Sequence, residues 1–382
     1  MKILVLGCGL MGRAIALDLL ESKDVDAVTV TDVSKQKLDA LEAEVQSGKL
    51  SIRKIDATNR SQLVSLLKRF DVATNALPHS VAVSVVRASI KARVPIVDLS
   101  FEDEHMELDA DAKQVGVTVI PGCGVAPGLS NILTGYAFDQ LDKTESAEIL
   151  CGGLTPKPSS PLHWRFVFTL EGAWGLYLKS PRIVKDGRIV RVEPRSGLKK
   201  VSFPDPFGNV EAFHTDGLAS LLHTMKDKIP NMVEKTVRWQ GNVERVGILA
   251  DCGLLSDNTI KANGTKVTPR HFNSIVMSPI LELGDERDVT LLRVDASGEK
   301  NGEKVLLRVD MVDYYDEKKK VSSMGRTTGY PCSVAAMMIE RGEIAGKGVV
   351  PPEIAIRGKQ FDEFEKEMNK RNIVFQKKLT KI

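Results

Sequence analysis

The stretch "KILVLGCGLMGRA", residues 2–14, joins a short apolar run to a glycine-rich turn and to the start of a helical pattern. Its G-x-G-x-x-G spacing lies between a predicted strand and a predicted helix. Gly7 permits the tight turn, Gly9 lets a pyrophosphate approach the backbone, and Gly12 lets the helix pack close to the strand. The stretch therefore predicts a dinucleotide-binding loop with the phosphates at a helix N-terminus. The residues expected to contact the dinucleotide are Gly7, Gly9, Leu10, Met11 and Gly12.

The second predicted strand, "AVTVTD", ends in an acidic residue, Asp32. A carboxylate at this distance from the glycine loop accepts hydrogen bonds from the ribose hydroxyls of the adenosine and repels a 2′-phosphate. This favours NAD over NADP, although the nearby Lys35 weakens the preference. The alternative interpretation is a plain glycine-rich turn beside a solvated aspartate.

Strands and helices then alternate regularly up to the strand "VTVIP", residues 117–121. This alternation predicts a Rossmann-type, doubly wound parallel sheet in an α/β protein, with ligands bound beyond the carboxyl ends of the strands. Asp56 is expected at the adenine edge, and Asp98 near the reacting carbon. The segment expected along the nicotinamide comprises Asn75, Ala76, Leu77 and Pro78.

A second glycine-rich stretch, "PGCGVAPGLSN", covers residues 121–131. Its glycines are spaced one residue too widely for a second dinucleotide loop, and Pro127 interrupts it. No acidic residue ends a strand ~20 residues later. The stretch is therefore expected to form a wall of the substrate site, including Gly124, and the passage into a second domain.

After this stretch the pattern changes to strands joined by short turns. The segments "AEILCGGL", "HWRFVFTL", "GRIVRVEP", "VERVGILADCGL" and "DVTLLRVDASG" are predicted strands, and Asn301-Gly302 predicts a hairpin turn. We expect residues 1–125 and 326–382 to form the nucleotide-binding domain. Residues 126–325 are expected to form an α+β domain for substrate binding and dimerisation, with a mixed, largely antiparallel sheet.

The amino-acid composition is typical of a globular protein and argues against several classes of partner. Of 382 residues 42% are hydrophobic and 27% charged, as in ordinary globular proteins, and the length suggests two domains. The net charge of +3 argues against nucleic acid or a membrane surface as a partner, and the apolar runs are shorter than a membrane span of ~20 residues. Five cysteines without C-x-x-C spacing argue against a metal site and fit a reducing cytoplasm. Because a strand follows Met1 directly, no signal peptide is expected.

The motifs "LGCGLMG", "TD", "NALP", "VDLS", "PGCGVAPGLSNIL", "FTLEG", "EAFHTDG" and "GVVPPE" occur in this order along nearly the whole chain. Together they resemble the saccharopine dehydrogenase superfamily, and within it the lysine 6-dehydrogenases. The resemblance implies an NAD-dependent oxidative deamination of the ε-amine of L-lysine. The product would be the semialdehyde, which cyclises, and ammonia would be released. Relatives are oligomeric, so the resemblance also implies a homodimer or higher homo-oligomer.

Hydride transfer requires a neutral amine, so a group near the reacting carbon must accept a proton. Asp98 is the first candidate for this base or for its orienter, and His79 is a candidate proton relay. Their alternative roles are a turn cap and an ordinary loop residue. The resemblance places Glu171 where related enzymes carry an arginine for a substrate carboxylate, which suits a cationic amine. Otherwise Glu171 is a surface charge.

The motif "EAFHTDG" contributes candidates for binding the substrate's α-carboxylate and α-amine. The resemblance assigns these roles to His214 and Thr215, although Thr215 can instead be an N-cap. Arg165 can pair with the carboxylate through its planar guanidinium. Cys123 is interpreted as a small wall residue.

Two other functions stay open at this stage. A saccharopine-type or carboxynorspermidine-type dehydrogenase acts on a secondary amine, and its larger substrate needs an additional cationic side chain, from Arg165 or Arg326. A non-catalytic NAD-binding regulator would bind NAD without turning over any amine.

Overall fold

The computed structural model describes residues 1–166, 170–284 and 286–382, and only the backbone of Glu171. The predicted role of Glu171 therefore lies outside the described side chains, as do residues 167–169 of the predicted strand "HWRFVFTL". The strand prediction is wrong for the described residues of that segment, since 163–166 form no strand and Leu170 begins a helix. The strands are β1 (Lys2–Leu6), β2 (Ala27–Asp32), β3 (Leu50–Lys54), β4 (Val72–Asn75), β5 (Ile96–Asp98), β6 (Thr118–Ile120), β7 (Lys143–Leu154), β8 (Arg182–Lys185), β9 (Arg188–Arg191), β10 (Lys199–Val201), β11 (Val210–His214), β12 (Asn231–Trp239), β13 (Ile260–Ala262), β14 (Thr265–Val267), β15 (Val289–Lys300), β16 (Glu303–Tyr314), β17 (Gly348–Val349) and β18 (Gln376–Lys381).

The helices surround two large sheets. They are α1 (Leu10–Glu21), α2 (Lys35–Glu44), α3 (Arg60–Leu67), α4 (His79–Ala92), α5 (Asp109–Gln114), α6 (Leu129–Gln140), α7 (Leu170–Leu178), α8 (Leu221–Thr224), α9 (Asn242–Asp251), α10 (Pro269–Leu281), α11 (Ser323–Glu340), α12 (Pro352–Ala355) and α13 (Lys359–Lys370), with a 3₁₀ helix at Asp103–Leu108. Among the described residues, no helix is long and apolar enough to cross a membrane.

The first sheet is parallel, with the order β17-β6-β5-β4-β1-β2-β3. The chain runs outward from β1 through β2 to β3, and then returns to β4 and runs outward the other way. The order therefore reverses between β1 and β4, which is where ligands bind in doubly wound sheets. The predicted α/β class and Rossmann-type sheet are confirmed.

The second sheet has the order β10-β11-β12-β7-β15-β16-β18, with β8 and β9 attached beside β12. Only β12 and β7 run parallel, and the remaining pairs are antiparallel. The predicted hairpin forms between β15 and β16, with Asn301 and Gly302 at positive φ in the turn. The mixed, largely antiparallel sheet is thus as expected.

The C-terminal segment is divided between the two domains. β17 extends the first sheet beside β6, and α11 packs on α1. By contrast, β18 pairs with β16 in the second sheet. The prediction that all of 326–382 returns to the first domain is therefore wrong for β18, whose backbone groups complete the edge that β16 would otherwise leave unpaired.

The segment "VERVGILADCGL" is a helix, α9, and not the predicted strand. Val243 and Val246 are buried at helical spacing, and Gly241 precedes the helix in the left-handed conformation. Both valines pack in a small core that also contains Trp174 and Tyr177 of α7. Burial on one helical face outweighed the β preference of the valines.

Candidate active site

The glycine loop connects β1 to α1 at the switch point of the first sheet. A Cβ built on Gly12 would lie 1.9 Å from the carbonyl oxygen of Gly7, and one built on Gly7 would lie 2.8 Å from that of Ala76. A Cβ on Gly9 meets no atom within 4 Å. Two glycines are thus required by the fold, whereas Gly9 leaves an open space beside the backbone. Among the described residues, no side chain caps the N-terminus of α1, so its first amides are available to an anion.

Asp32 lies beside this loop at the end of β2. Its Oδ2 accepts a hydrogen bond from the Cys8 amide at 2.8 Å, and its Oδ1 accepts one from the Ser34 amide at 2.8 Å. The carboxylate is therefore held next to the loop with lone pairs left for other donors. The exposed Lys35 begins α2 immediately after Ser34. The open face at Gly9, the free helix terminus and the fixed carboxylate fit the pyrophosphate and adenosine ribose of a dinucleotide.

Asn75 and Asp98 end neighbouring strands, β4 and β5, and are both fully buried. The Asn75 Nδ2 donates to the Asp98 Oδ2 at 2.9 Å, while the Ser100 amide donates to Oδ1 at 2.8 Å. The Leu77 amide donates to the Asn75 Oδ1 at 3.3 Å, so this network also fixes the half-buried segment from Ala76 to Leu77. Asp98 does not project into an open cleft; it orients Asn75.

Burial raises the pKa of Asp98 to about 7. The Nε2 of His105 lies 3.7 Å from the Asp98 Oδ2, and its Nδ1 accepts a hydrogen bond from the Glu102 amide at 2.9 Å. This acceptor role leaves the proton of a neutral imidazole on Nε2, facing Asp98. Burial lowers the pKa of His105 to about 4. His105 is thus predominantly uncharged near neutral pH, whereas Asp98 is only partly protonated there.

His79 begins α4 and is exposed at the same edge of the sheet. Its Nδ1 lies 3.0 Å from the Glu102 Oε1. His79 and Glu102 line a cleft of about 420 Å³, together with Ser80, Val83 and Glu104. The exposed imidazole and two carboxylates make this cleft accessible to solvent and acidic. Asp56, predicted at the adenine edge, is exposed and accepts two hydrogen bonds from Thr58 in the turn before α3.

The loop "PGCGVAPGLSN" follows β6 and joins the two domains. The amides of Gly122 and Cys123 donate to the carbonyl oxygens of Ser100 and Asp98 at 2.9 and 2.8 Å. A Cβ on Gly124 would lie 3.2 Å from both Pro127 and Thr328. Gly124 therefore packs inside the protein, although its loop leads into the second domain as predicted.

The last residue of this loop, Asn131, contacts the second domain and the C-terminal segment. Its Nδ2 donates to the Ser220 Oγ at 3.0 Å, and that hydroxyl donates to the Glu353 Oε2 at 2.9 Å. The Thr224 Oγ1 donates to the other oxygen of Glu353 at 2.6 Å. This buried polar network joins three distant parts of the chain, and sequence patterns gave no signal for it.

His214 and Thr215, predicted to act together, point to opposite faces of the second sheet. His214 lies beside Ser196, whose hydroxyl is 3.2 Å from its Nδ1, and opposite Lys235 in the register. Thr215 contacts Glu234 and lies 2.9 Å from the Thr236 Oγ1. Successive residues of an extended chain alternate in direction. The structure therefore does not bring these two candidates to one ligand group.

Arg165 is held within the second domain. Its Nε lies 3.3 Å from the Glu286 Oε1, and its Nη1 donates to the carbonyl oxygen of Ile280. At the junction with the first domain, Arg182 donates to Asp103 at 2.8 Å and to Asp216 at 3.1 Å. The motif "EAFHTDG" thus supplies Asp216, a partner of Arg182 at the junction of the two domains.

The fold and the glycine loop define a two-domain oxidoreductase that binds a pyridine nucleotide. Residues 3–120 match the model of the saccharopine dehydrogenase NADP binding domain, and residues 124–374 match the saccharopine dehydrogenase C-terminal domain. The chain belongs to the saccharopine dehydrogenase family. The predicted superfamily and the predicted class, an oxidoreductase acting on amines or amino acids, are confirmed at the level of this family.

Individual relatives cover nearly the whole chain. Saccharopine dehydrogenase [NADP(+), L-glutamate-forming] of Pyricularia oryzae is 24% identical, over 92% of this chain and 93% of the relative. Carboxynorspermidine synthase of Vibrio cholerae is 25% identical, over 91% of each chain. The solved apo structure of saccharopine dehydrogenase (L-Glu forming) from Saccharomyces cerevisiae covers 99% of both chains, with a TM-score of 0.82 and 22% identity. That likeness establishes the fold.

Proposed function

We propose that this protein catalyses NAD-dependent oxidative deamination of the ε-amine of L-lysine, giving the 6-semialdehyde and ammonia. Family membership supports hydride transfer from a carbon that bears an amine. The observation that carries the choice of lysine is the state of Arg165 and Arg326. A saccharopine-type substrate has additional carboxylates, and both guanidinium groups considered for them are already in ion pairs.

Arg165 is paired with Glu286, as described above. Arg326 is only 5% exposed and lies 3.2 Å from Asp313 and 2.8 Å from Asp316. Releasing either guanidinium to a substrate would leave a carboxylate without its cation, at a cost that is largest for the buried pair. A smaller substrate with one carboxylate avoids that cost.

The cleft at the edge of the first sheet also favours a cationic substrate. Glu102 and Glu104 line it, and no lysine or arginine does among the described residues. Opposite charges raise the local concentration of a cationic ligand and orient it. The acidic lining therefore supports a lysine side chain better than a dicarboxylate.

Each residue of the proposed site has its own role in binding or in proton transfer. A bound nicotinamide nucleotide supplies the hydride acceptor. Gly9 and the N-terminus of α1 would hold its pyrophosphate, and Asp32 would bind the adenosine ribose. Asn75, fixed by Asp98, would position the backbone from Ala76 to Pro78 along the nicotinamide. His79 is the exposed base in the cleft and accepts the proton that the ammonium must lose.

Asp32 supports NAD as the preferred cofactor. The Pyricularia oryzae relative named above is an NADP(+) enzyme, and the Asp32 carboxylate would repel the 2′-phosphate of NADP. Lys35 is the cation nearest in sequence that can compensate for this repulsion. The relative affinities for NAD and NADP test this part of the proposal, and tighter binding of NADP contradicts it.

Steady-state assays of purified protein test the proposed substrate. L-lysine, saccharopine and carboxynorspermidine are each supplied with NAD, and ammonia is measured alongside the reduced cofactor. Equal amounts of ammonia and reduced cofactor with L-lysine support the proposal. Turnover of a secondary amine alone favours the second candidate, a saccharopine-type dehydrogenase, to which the relatives point. Tight NAD binding without turnover of any amine indicates a regulator.

A further inference from the structure

Burial of a carboxyl group is costly unless donors or cations compensate for it. In the described part of the chain, the buried carboxyl groups are those of Asp18, Asp98, Glu211, Glu234, Asp288, Asp313, Glu353 and Glu367. Each except Glu234 has a basic partner or at least two hydrogen-bond donors within that part. Glu234 accepts a single hydrogen bond there, from the Thr215 hydroxyl.

The nearest cation does not neutralise Glu234. Arg238 follows four residues later on β12, and its Nε donates to the Tyr177 hydroxyl at 3.0 Å. Its Nη1 donates to the carbonyl oxygen of Val237 at 2.8 Å, and its guanidinium lies over the ring of Trp164. Within the described residues, Glu234 has no lysine or arginine at ion-pair distance. The oxygen atoms of the Glu234 carboxyl group can therefore still accept hydrogen bonds from a cationic donor.

Glu234 lies directly behind Gly217, next to the contact that Asp216 and Arg182 make with the first domain. A Cβ built on Gly217 would lie 2.6 Å from its carboxyl carbon. The neighbouring Asp216 is bonded to Arg182, which reaches Asp103 of the first domain. Two residues further on, the carbonyl oxygen of Leu218 accepts a hydrogen bond from Asn131 at 3.4 Å. The carboxyl group is therefore on the side of the second sheet that faces the first domain.

We infer that Glu234 is the counter-ion that binds the cationic amino group of the substrate, with the hydroxyls of Thr215 and Thr236 as neighbouring acceptors. The inference rests on the proposed function and adds a residue that binds the substrate of that reaction. An ammonium group has three donors, which match one carboxylate oxygen and two hydroxyl oxygens. Because Gly217 has no side chain, its backbone packs directly against this carboxyl group.

Without a bound cation, Glu234 is predominantly protonated near neutral pH. Burial raises its pKa to about 8, and the charge of Asp216 raises it further, while the Thr215 hydrogen bond and Arg238 lower it. Among the described residues, Cys151 on β7 is a further titratable group close to Glu234, and its pKa is also raised. A cationic ligand would stabilise the ionised form, so binding of the amine and loss of the Glu234 proton are coupled.

The exchange Glu234→Gln tests the inference, with Glu148→Gln as the matched control. Glu148 lies on the adjacent strand β7, pairs with Lys199 and Lys235, and faces the other side of the sheet. Steady-state kinetics are measured with L-lysine and with saccharopine, and NAD affinity is measured by titration. We expect Glu234→Gln to raise the KM for the amine by about tenfold or more, because a hydrogen bond to a charged group is lost. NAD affinity and the control's amine KM should stay at the wild-type level.

The outcomes separate this inference from the proposed function. If the wild type turns over L-lysine and Glu234→Gln keeps its KM, the inference is wrong and the proposed function stands. If the wild type turns over neither amine, both are wrong. If Glu234→Gln fails to fold, Thr215→Val replaces it, because the hydroxyl is removed with little change in volume. A wild-type KM in a folded Thr215→Val variant then overturns the inference.

Discussion

The exchanges Gly12→Ala and Gly9→Ala separate the two requirements on the glycine loop. In Gly12→Ala the new Cβ would lie 1.9 Å from the Gly7 carbonyl oxygen and 2.8 Å from its carbonyl carbon. Both neighbours are backbone atoms, so the loop or α1 must move by roughly an ångström in a close-packed interior. Overpacking of this kind costs about 1–3 kcal/mol. We therefore expect a lower free energy of unfolding, by about 2–3 kcal/mol, together with weaker NAD binding.

Gly9→Ala should behave differently, because no atom lies within 4 Å of the new Cβ. Replacing glycine by alanine at an N-cap costs at most about 1 kcal/mol of stability. The methyl group occupies the space through which the pyrophosphate approaches, so NAD affinity should fall about tenfold or more, or ~1.4 kcal/mol.

Urea denaturation without nucleotide and calorimetric titration with NAD measure the two effects separately. Gly48→Ala is the control, since its Cβ also meets no atom within 4 Å and it lies outside the loop. Wild-type NAD affinity in Gly9→Ala would refute the assignment of the phosphate site. Wild-type stability in Gly12→Ala would refute the packing argument.

The exchange Asp32→Ser should reduce the preference for NAD over NADP, because it removes the charge that repels a 2′-phosphate. The dissociation constants of NAD and NADP measure this preference, and an unchanged ratio of the two contradicts the prediction. Asp98 has a folded pKa of about 7, above the value of ~3.9 in unfolded chains. The stabilisation that protonated Asp98 provides is therefore fully present below pH ~4, and it is lost as pH rises through about 7. Unfolding of the wild type and Asp98→Asn from pH 5 to 8 checks this, because the variant should gain stability relative to the wild type as pH rises. The effect of His105 has the opposite sign, because burial lowers its folded pKa to about 4, below the unfolded value of ~6.5. Its contribution to stability is therefore lost as pH falls below ~6.5. Glu353→Ala should lower the free energy of unfolding by about 1–3 kcal/mol, since two buried hydroxyls lose their acceptor; urea denaturation measures this, and a loss below about 0.5 kcal/mol contradicts it.

Much of the first domain was predictable because its signals are local. The glycine spacing, the strand-to-helix context and Asp32 all lie within a short stretch, and each depends on backbone geometry that the residue types restrict. The regular alternation of strands and helices then leaves a parallel sheet as the simplest arrangement. The positions of Gly7, Gly12 and Asp32 in the structure follow that expectation.

The second domain was less predictable because its contacts are distant in sequence. The helix α9 was misread as a strand, since a short apolar run has no clear period until its packing partners are known. The strand β18 pairs with a partner more than 60 residues away, which no local pattern indicates. His214 and Thr215 looked like one motif, yet the alternation of β11 sends them to opposite faces.

In the candidate site, too, features with a local sequence signal were predictable, and features that depend on distant contacts were not. Asp98 was recognised as a residue at a strand end, but its full burial depends on Asn75 and His105, which come from other elements. Glu234 had no sequence signal, because an acidic residue within the segment "NMVEKTVRW" resembles any exposed strand residue. Only the pairing of β12 with β11 places it against Thr215.

The most direct test of the proposed reaction uses L-lysine with two deuterium atoms on the ε-carbon, supplied with NAD. The reduced cofactor is then isolated and its mass measured. Transfer of hydride from the ε-carbon predicts that each reduced cofactor carries one deuterium, with ammonia released in equal amount. Reduced cofactor without deuterium, or formed only when saccharopine replaces lysine, would contradict the account.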